Sequence, residues 1–288
     1  MLLIRIGSLV LLGLTLTASH AGRSAARAQG PDPFPRTVTD GAGRRVTIIR
    51  PPRIIALVGG APEVTRVVEP AALRRADPLA DDPSVFDWTN VGLVVLSDLF
   101  AAINPGWTDA AEAQDIPVFL LSETASLDNW RATVEALGQA TGRDDRAAAA
   151  LTRLENRLKR LATRVAEHPP RRALVLTPEG YTFGQKTLIG DLLAAVGARN
   201  IAAEAGFEDY RQIDAASIRE LAPDAILLSP TWTAEQTARL RDDPALRTVP
   251  AIRRSQVFRL PFSPTLPEDP AAAAFALALL LHPAALLH

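Results

Sequence analysis

The 288-residue chain has no cysteine, so neither a disulfide framework nor an acylated cysteine anchor is open to it. Histidine is almost as scarce. The four are His20, His168, His282 and His288, too scattered to build a buried zinc or manganese centre without thiolates. His168, beside Pro169 at the end of a long helical stretch, reads as a favourable contact with the helix dipole. Lysine occurs only as Lys159 and Lys186; 31 basic residues, nearly all arginine, are set against 32 acidic ones for a formal net charge of −1. The two signs are interspersed, which leaves no footprint for nucleic acid or an anionic membrane surface. Enzyme signatures are missing as well: no nucleophile elbow, no closely spaced His and acidic ligands, no glycine-rich phosphate loop. Gly184-Gln185-Lys186-Thr187 comes nearest to such a loop, but Gly184 and Lys186 are not adjacent and Thr182-Phe183 stand where the loop needs freedom. The chain does not read as an enzyme, and no cofactor is expected.

What is present begins with an address. Arg5 precedes an apolar run from Leu9 to Thr17, followed by the small residues Ser19-His20-Ala21, the layout of a secretory signal peptide. A second cleavage option follows Ala26-Arg27-Ala28. The run is too short to span a bilayer, which takes about 20 residues. Residues 1–30 are therefore assigned to the signal, with the mature chain beginning between Gly22 and Pro31. An exported chain with no cysteine to tether it suits the periplasm.

Roughly 260 mature residues exceed what one core usually holds, so two domains are expected. Thr37 to Ile48, with Gly41 and Gly43 between two β-prone runs, reads as a hairpin. Arg53-Ile54-Ile55-Ala56-Leu57-Val58 and Ile116-Pro117-Val118-Phe119-Leu120-Leu121 are continuous apolar runs of the kind that form strands buried on both faces. Ser126 is placed to cap a helix carrying Leu127, Trp130, Val134 and Leu137, with Gly142 at its end. Leu151, Leu154, Leu158, Leu161 and Val165 then keep a three-and-four spacing through a rod from about Asp144 to Glu167, stopped by Pro169-Pro170 and roughly 36 Å long at the rise of a helix. Strand-and-helix grammar restarts with Ala173 to Leu176, a helix from Leu188 to Gly197, strands at Ala225 to Leu228 and Val257 to Leu260, and a closing helix from Ala271 to Leu281. The fold class is α/β: two Rossmann-like lobes, 31–125 and 171–288, joined by a helical region, 126–170, that contains one long backbone helix.

Open α/β sheets bind ligands beyond the carboxyl ends of their strands. Trp88, Tyr181, Phe183, Trp232 and Phe262 fall in segments that follow strands, as does Gly60 after the first strand; together they are the candidate ligand wall. Each aromatic residue equally suits a packing role at the end of a small core. Arg211 and Arg259 are candidate anion contacts whose facing the sequence leaves open.

Several segments taken in order resemble a known family. Thr37-Val38-Thr39-Asp40 to Val46-Thr47, Pro52-Arg53-Ile54-Ile55-Ala56-Leu57 with Glu63-Val64, Gly180-Tyr181-Thr182-Phe183-Gly184, Leu188 to Asn200 and Ile218 to Leu228 are similar in order and spacing to class III, helical-backbone periplasmic binding proteins of ATP-driven importers, the iron-chelate and vitamin B12 type. The resemblance covers most of the mature chain. It implies two lobes on a stiff helix, a ligand in the cleft, and an inner-membrane permease docking on the lobe tips through one acidic residue per lobe. Asp98 falls at the first-lobe position; the second falls near Ala215, so Asp214 substitutes. The ligand it implies is a metal chelate such as a ferric siderophore, haem or a corrinoid, with Tyr181 a candidate ligand to haem iron. A monomer is expected. Two regions depart from the family. Glu69 to Gly92 lacks the strand expected after the first helix, and Asn104 to Pro117 offers only Gly106-Trp107-Thr108 and a short helix. The first lobe is therefore expected to be trimmed, its sheet a strand or two smaller. This keeps open an alternative in which a chain of this fold has lost transport and serves as an accessory, partner-binding protein.

Overall fold

The computed structural model describes residues 34–58, 73–76, 82–122, 126–265, 267 and 269–286. The expected signal peptide, residues 1–30, and Gly60 lie outside the described residues. The described chain falls in the compact unit Pro33–His288.

Alternating Thr and Val residues make the opening hairpin. β1 (Arg36–Thr39) and β2 (Arg45–Ile48) pair antiparallel, and the period of two turns Val38, Val46 and Ile48 inward. The hairpin is fastened by Asp40, whose carboxylate accepts from the backbone N–H groups of Ala42 and Arg44 and, across the fold, from that of Leu120 at 3.1 Å.

The first lobe is a parallel sheet of four strands, β3 (Ile54–Val58), β4 (Leu73–Ala76), β5 (Val91–Ser97) and β6 (Val118–Leu121), in the order β4-β3-β5-β6. Two strands here correct the sequence expectation. The stretch from Glu69 to Gly92, expected to lack a strand, contains β4, and β5 begins within it. Among the described residues this sheet and the parallel sheet of the second lobe each have four strands. Among the described residues β4 pairs only with β3, and it reads Leu-Arg-Arg-Ala; charged residues suit an edge strand, where they discourage further pairing, and they hide it from a search for apolar runs. Between β5 and β6 stand two short helices, α1 (Asp98–Ile103) and α2 (Gly106–Glu112).

The helical region follows its signals. Ser126 accepts from Asn129 N–H to cap α3 (Leu127–Thr141), and Gly142 ends it in the left-handed conformation, φ 71°, where a Cβ would be strained. α4 (Asp144–Val165) has 22 residues, about 33 Å of rod, and its leucine stripe is buried. That stripe belongs to one apolar core that includes Val95 and Leu121 of the first sheet and Val175 and Leu227 of the second. A joint packed on both sides does not hinge freely.

The second lobe contains β7 (Arg172–Leu176), β8 (Tyr181–Phe183), α5 (Leu188–Ala195), β9 (Arg199–Asn200), α6 (Ile201–Glu204), β10 (Tyr210–Gln212), α7 (Ala215–Leu221), β11 (Ala225–Leu228), α8 (Ala234–Asp242), α9 (Pro250–Arg253), β12 (Val257–Arg259), α10 (Pro270–Leu281) and α11 (Pro283–Leu286). Four strands form a parallel sheet in the order β12-β11-β7-β9, while β8 and β10 form an antiparallel pair of their own. Asp191 of α5 accepts from Leu127 N–H at 2.7 Å, tying this lobe to the first turn of α3.

Candidate functional site

β5 and β7 are each followed by a residue that lines the same space. Asp98 directly follows β5 and Thr177 directly follows β7, and both line a cleft of about 430 Å³ together with Leu99, Glu179, Tyr181, Phe183, Tyr210 and Thr265. This is the carboxyl-end crevice that an open α/β sheet provides for ligands, and its volume suits a small organic molecule.

The second-lobe wall is built locally. Thr177 and Tyr181 close a tight turn, Thr177 N–H donating to Tyr181 O at 2.9 Å and Tyr181 N–H to Thr177 Oγ1 at 3.2 Å. β8 then runs against β10 with Tyr210 opposite Phe183 and Gln212 opposite Tyr181. The pleat sends Tyr181 and Phe183 to one face and Thr182 to the other. The rings of Tyr181 and Tyr210 meet edge to face at 5.7 Å, and Phe183 lies 6.4 Å from Tyr210. From its other side β8 is held by Asn200, whose side-chain amide donates to Phe183 O at 2.9 Å. Gly184 is required where the pair continues, because a Cβ there would run into the Phe207 carbonyl.

The first-lobe wall is the start of α1. Ser97 Oγ caps it by accepting from Phe100 N–H at 3.1 Å, and Asp98 Oδ1 accepts from Leu99 N–H at 2.7 Å. Leu99 leaves 51% of its surface exposed, an apolar side chain facing the cleft rather than the core.

Of the residues expected to bind, Tyr181 and Phe183 line this cleft, on a strand and not in a loop. Trp88, Trp232 and Phe262 are not among its described lining residues. Trp88 packs edge-on against Phe86 at 4.9 Å and donates from Nε1 to Pro83 O, part of the first lobe's own aromatic cluster. Trp232 is buried and donates from Nε1 to Leu176 O at 3.0 Å, so it braces the end of β7. Phe262 packs on the main core. Each is held by a core that offered its ring burial or its N–H a carbonyl. Asp98, expected as a docking residue, lines the cleft, whereas Asp214 is exposed and caps α7, accepting from Ser217 N–H at 2.8 Å and Ser217 Oγ at 2.7 Å. Those hydrogen bonds hold its carboxyl below the usual range. Leu99, Thr177, Glu179, Tyr210 and Thr265 were not anticipated. Rarity pointed to one of them: the chain has two tyrosines, and they are the pair in contact here.

The basic residues nearby are turned elsewhere. Arg211 lies over the Phe207 ring at 5.0 Å, Arg259 donates from Nε to Pro230 O at 3.1 Å, and Lys186 pairs with Glu208 at 2.7 Å. Among the described residues no group of three or more His, Cys, Asp or Glu side chains could hold a metal ion.

The family model described as periplasmic binding protein matches residues 94–264, more than half of the chain. The chain belongs to this family. Membership makes it an extracytoplasmic solute-binding component of an ABC transporter, and its two lobes on a backbone helix are those of the class III members. No curated protein matches it in sequence. Among solved structures it is similar to the molybdate-binding MolA of Haemophilus influenzae, with 18% identity over 87% of this chain and 92% of that one and a TM-score of 0.65. It is similar to a ferric hydroxamate transport protein of Saccharomonospora viridis at 19% identity, covering 86% and 98% of the two chains, TM-score 0.65. The haem-binding RhuT of a Roseiflexus species gives 19%, 82%, 99% and 0.64. At these identities the likeness is one of fold.

Proposed function

We propose that this binding protein captures a metal chelate, a ferric siderophore, haem or a corrinoid, in the cleft between α1 and the β8–β10 pair, and hands it to an inner-membrane permease. The observation that carries this reading is the cleft itself: about 430 Å³ with Tyr181, Phe183 and Tyr210 on one side and Leu99 on the other, a shape and surface for a ring-bearing organic ligand rather than a bare ion. A phenol oxygen from Tyr181 is available to a ferric centre. The continuous core through α4 supports a preformed site that changes little on binding. Ligands named for similar folds include ferric hydroxamate and haem, which favours this class. The protein works as a soluble periplasmic monomer with its signal removed, and Asp98 and Asp214 serve permease docking, Asp98 from the rim of the cleft.

Titrating the purified mature protein with haem, cobalamin and a ferric hydroxamate, by visible absorbance and calorimetry, tests this directly. One of them binds with one-to-one stoichiometry. Silence across the panel would overturn the reading and favour an accessory protein that has lost ligand binding.

A further inference from the structure

α10 exposes a face with nothing polar on it. The helix is built of proline, alanine, phenylalanine and leucine alone. One side is buried in the main core, through Ala274, Leu277 and Leu281. The other presents Ala272, Phe275 and Leu279 to the outside, with 47% of Phe275 and 44% of Leu279 exposed. A surface helix ordinarily carries charged or polar residues there, as α4 does.

α4 supplies the opposite bank. The two helices run side by side in the same direction. Arg157 Nη1 donates to Asp269 Oδ2 at 2.6 Å at the start of α10, and the rings of His168 and His282, just past the ends of the two helices, are 6.2 Å apart. Between the helices lies a groove of about 220 Å³, lined by Arg157, Arg160, Leu161 and Arg164 of α4 and by Ala271 and Phe275 of α10. None of these is a described lining residue of the solute cleft. The arginines share an edge because of their spacing: Arg153, Arg157, Arg160 and Arg164 recur at intervals of four, three and four, a single stripe beside the buried leucines. Leu279, one turn beyond Phe275, continues the apolar bank.

The sign of the groove survives the least favourable count. Glu167, Glu268 and Asp269 are the carboxylates nearest in sequence to its two banks; Glu155 lies 3.9 Å from Arg131 of α3. The four arginines of the stripe outnumber those three acids, and Asp269 is committed to Arg157. These features choose the occupant. A second copy docking through a two-fold axis would set the arginine stripe against its own counterpart, a like-charge contact. A lipid surface calls for apolar side chains that stand proud, whereas Phe275 and Leu279 each bury more than half of their surface and Phe275 forms one bank of a concave groove. An amphipathic helix meets both banks at once. Its apolar seam lies along Phe275 and Leu279, and carboxylates flanking that seam meet Arg160 and Arg164, whose guanidinium groups bind them in fork geometry.

We propose that α4 and α10 form a docking groove for an acidic amphipathic helix of another extracytoplasmic protein, held by Phe275 and Leu279 through its apolar seam and by Arg160 and Arg164 through its carboxylates. The groove is a second interaction surface, separate from the solute cleft and from the two acidic residues assigned to the permease.

The test uses the full mature chain and three fluorescent helical peptides of about 15 residues. They share one leucine seam and differ only in the residues flanking it: glutamate, glutamine or lysine. Binding is read by fluorescence anisotropy at low and at high salt. The glutamate peptide binds about tenfold or more tighter than the lysine peptide, and added salt narrows the gap. Arg160→Glu combined with Arg164→Glu abolishes that preference. Phe275→Ala weakens the glutamate peptide about fivefold, and Lys159→Glu, on the far side of α4, leaves it unchanged. All of these variants melt close to the parent, because each replaced side chain is exposed. Equal affinity for the three peptides, or no binding of the glutamate peptide, would overturn the proposal. So would self-association in sedimentation equilibrium that the double arginine variant abolishes, or binding to phosphatidylglycerol vesicles while the peptides stay free; these results would give the groove to a second copy or to lipid. Each of these outcomes leaves the solute cleft untouched, since its titrations are read separately.

Discussion

Tyr181 and Tyr210, the two tyrosines of the chain, stand 29 residues apart in sequence and 5.7 Å apart between ring centres, at 72°. They come together because β8 and β10 pair antiparallel with Gln212 opposite Tyr181 and Tyr210 opposite Phe183, diagonal neighbours on one face of a two-stranded ribbon. The ribbon exists to carry this face: it stands outside both parallel sheets and walls the cleft.

The first prediction concerns those rings. Tyr210, 46% exposed, gives the fold little by its burial, so Tyr210→Ala weakens ligand binding by about five- to tenfold, ~1 kcal/mol of ring contact, with the melting temperature nearly unchanged. Calorimetry beside a thermal melt checks both halves.

Gly184→Ala acts on the same wall from behind. Its methyl group would strike the Phe207 carbonyl, so the backbone hydrogen bonds that continue the pair beyond Phe183, Gly184 N–H to Asp209 O and Gln185 N–H to Phe207 O, must give way. Stability falls and ligand binding falls with it, in contrast to Tyr210→Ala. Urea unfolding and a ligand titration on the same preparation separate the two cases.

The backbone helix makes a stability prediction. Leu158 is 8% exposed, within the core that spans both lobes, and truncating it to alanine costs about 2–5 kcal/mol. The adjacent Lys159 is exposed, and Lys159→Ala stays within about 0.5 kcal/mol of the parent. Urea midpoints with unchanged slopes would confirm the contrast.

His282 predicts how stability varies with pH. It caps α10, is 4% exposed, and its Nε2 is buried without a hydrogen-bond partner. Burial, then His168 at 6.2 Å between rings, then Arg171 push its pKa down from 6.5. The unfolded chain accordingly takes a proton that the folded chain resists, so this contribution is intact above pH 6.5 and is lost as pH falls below it. The melting temperature drops between about pH 7.5 and about pH 5.5 by more in the parent than in His282→Phe.

Docking is tested by Asp214→Asn, which keeps a good helix cap for α7 and removes the charge. Uptake in cells carrying the permease falls severalfold, and ligand affinity of the purified protein does not change. Unaltered uptake would remove Asp214 from the docking surface.

Much of the fold was legible because its signals are local. β3 and β6 are apolar runs of strand length, α3 carries its cap at Ser126 and its stop at Gly142, and α4 shows a leucine every third or fourth position. β5 had the same apolar signature and was passed over. β4 was hidden by its arginines, which belong to an edge. β8 and β10 were hidden for another reason: strands of three residues have no period to display, and each exists only because the other is there. The site shows the same division. Tyr181 and Phe183 were legible from their position after β7. Tyr210, Leu99, Glu179 and Thr265 join them through pairing and lobe placement, which no short window of sequence contains. Trp88 and Trp232 were drawn from the expected wall into cores because an indole N–H inside a protein seeks a carbonyl, and Pro83 and Leu176 supplied one each.

The central claim is that solute is held between α1 and the β8–β10 ribbon. Hydrogen exchange of the backbone amides, with and without the tightest ligand of the chelate panel, tests it most directly. The account predicts slowed exchange on both walls at once, at Leu99 and Phe100 on the first lobe and at Tyr181 to Phe183 and Tyr210 to Gln212 on the second. Slowed exchange confined to one lobe, or to amides remote from these segments, would contradict it.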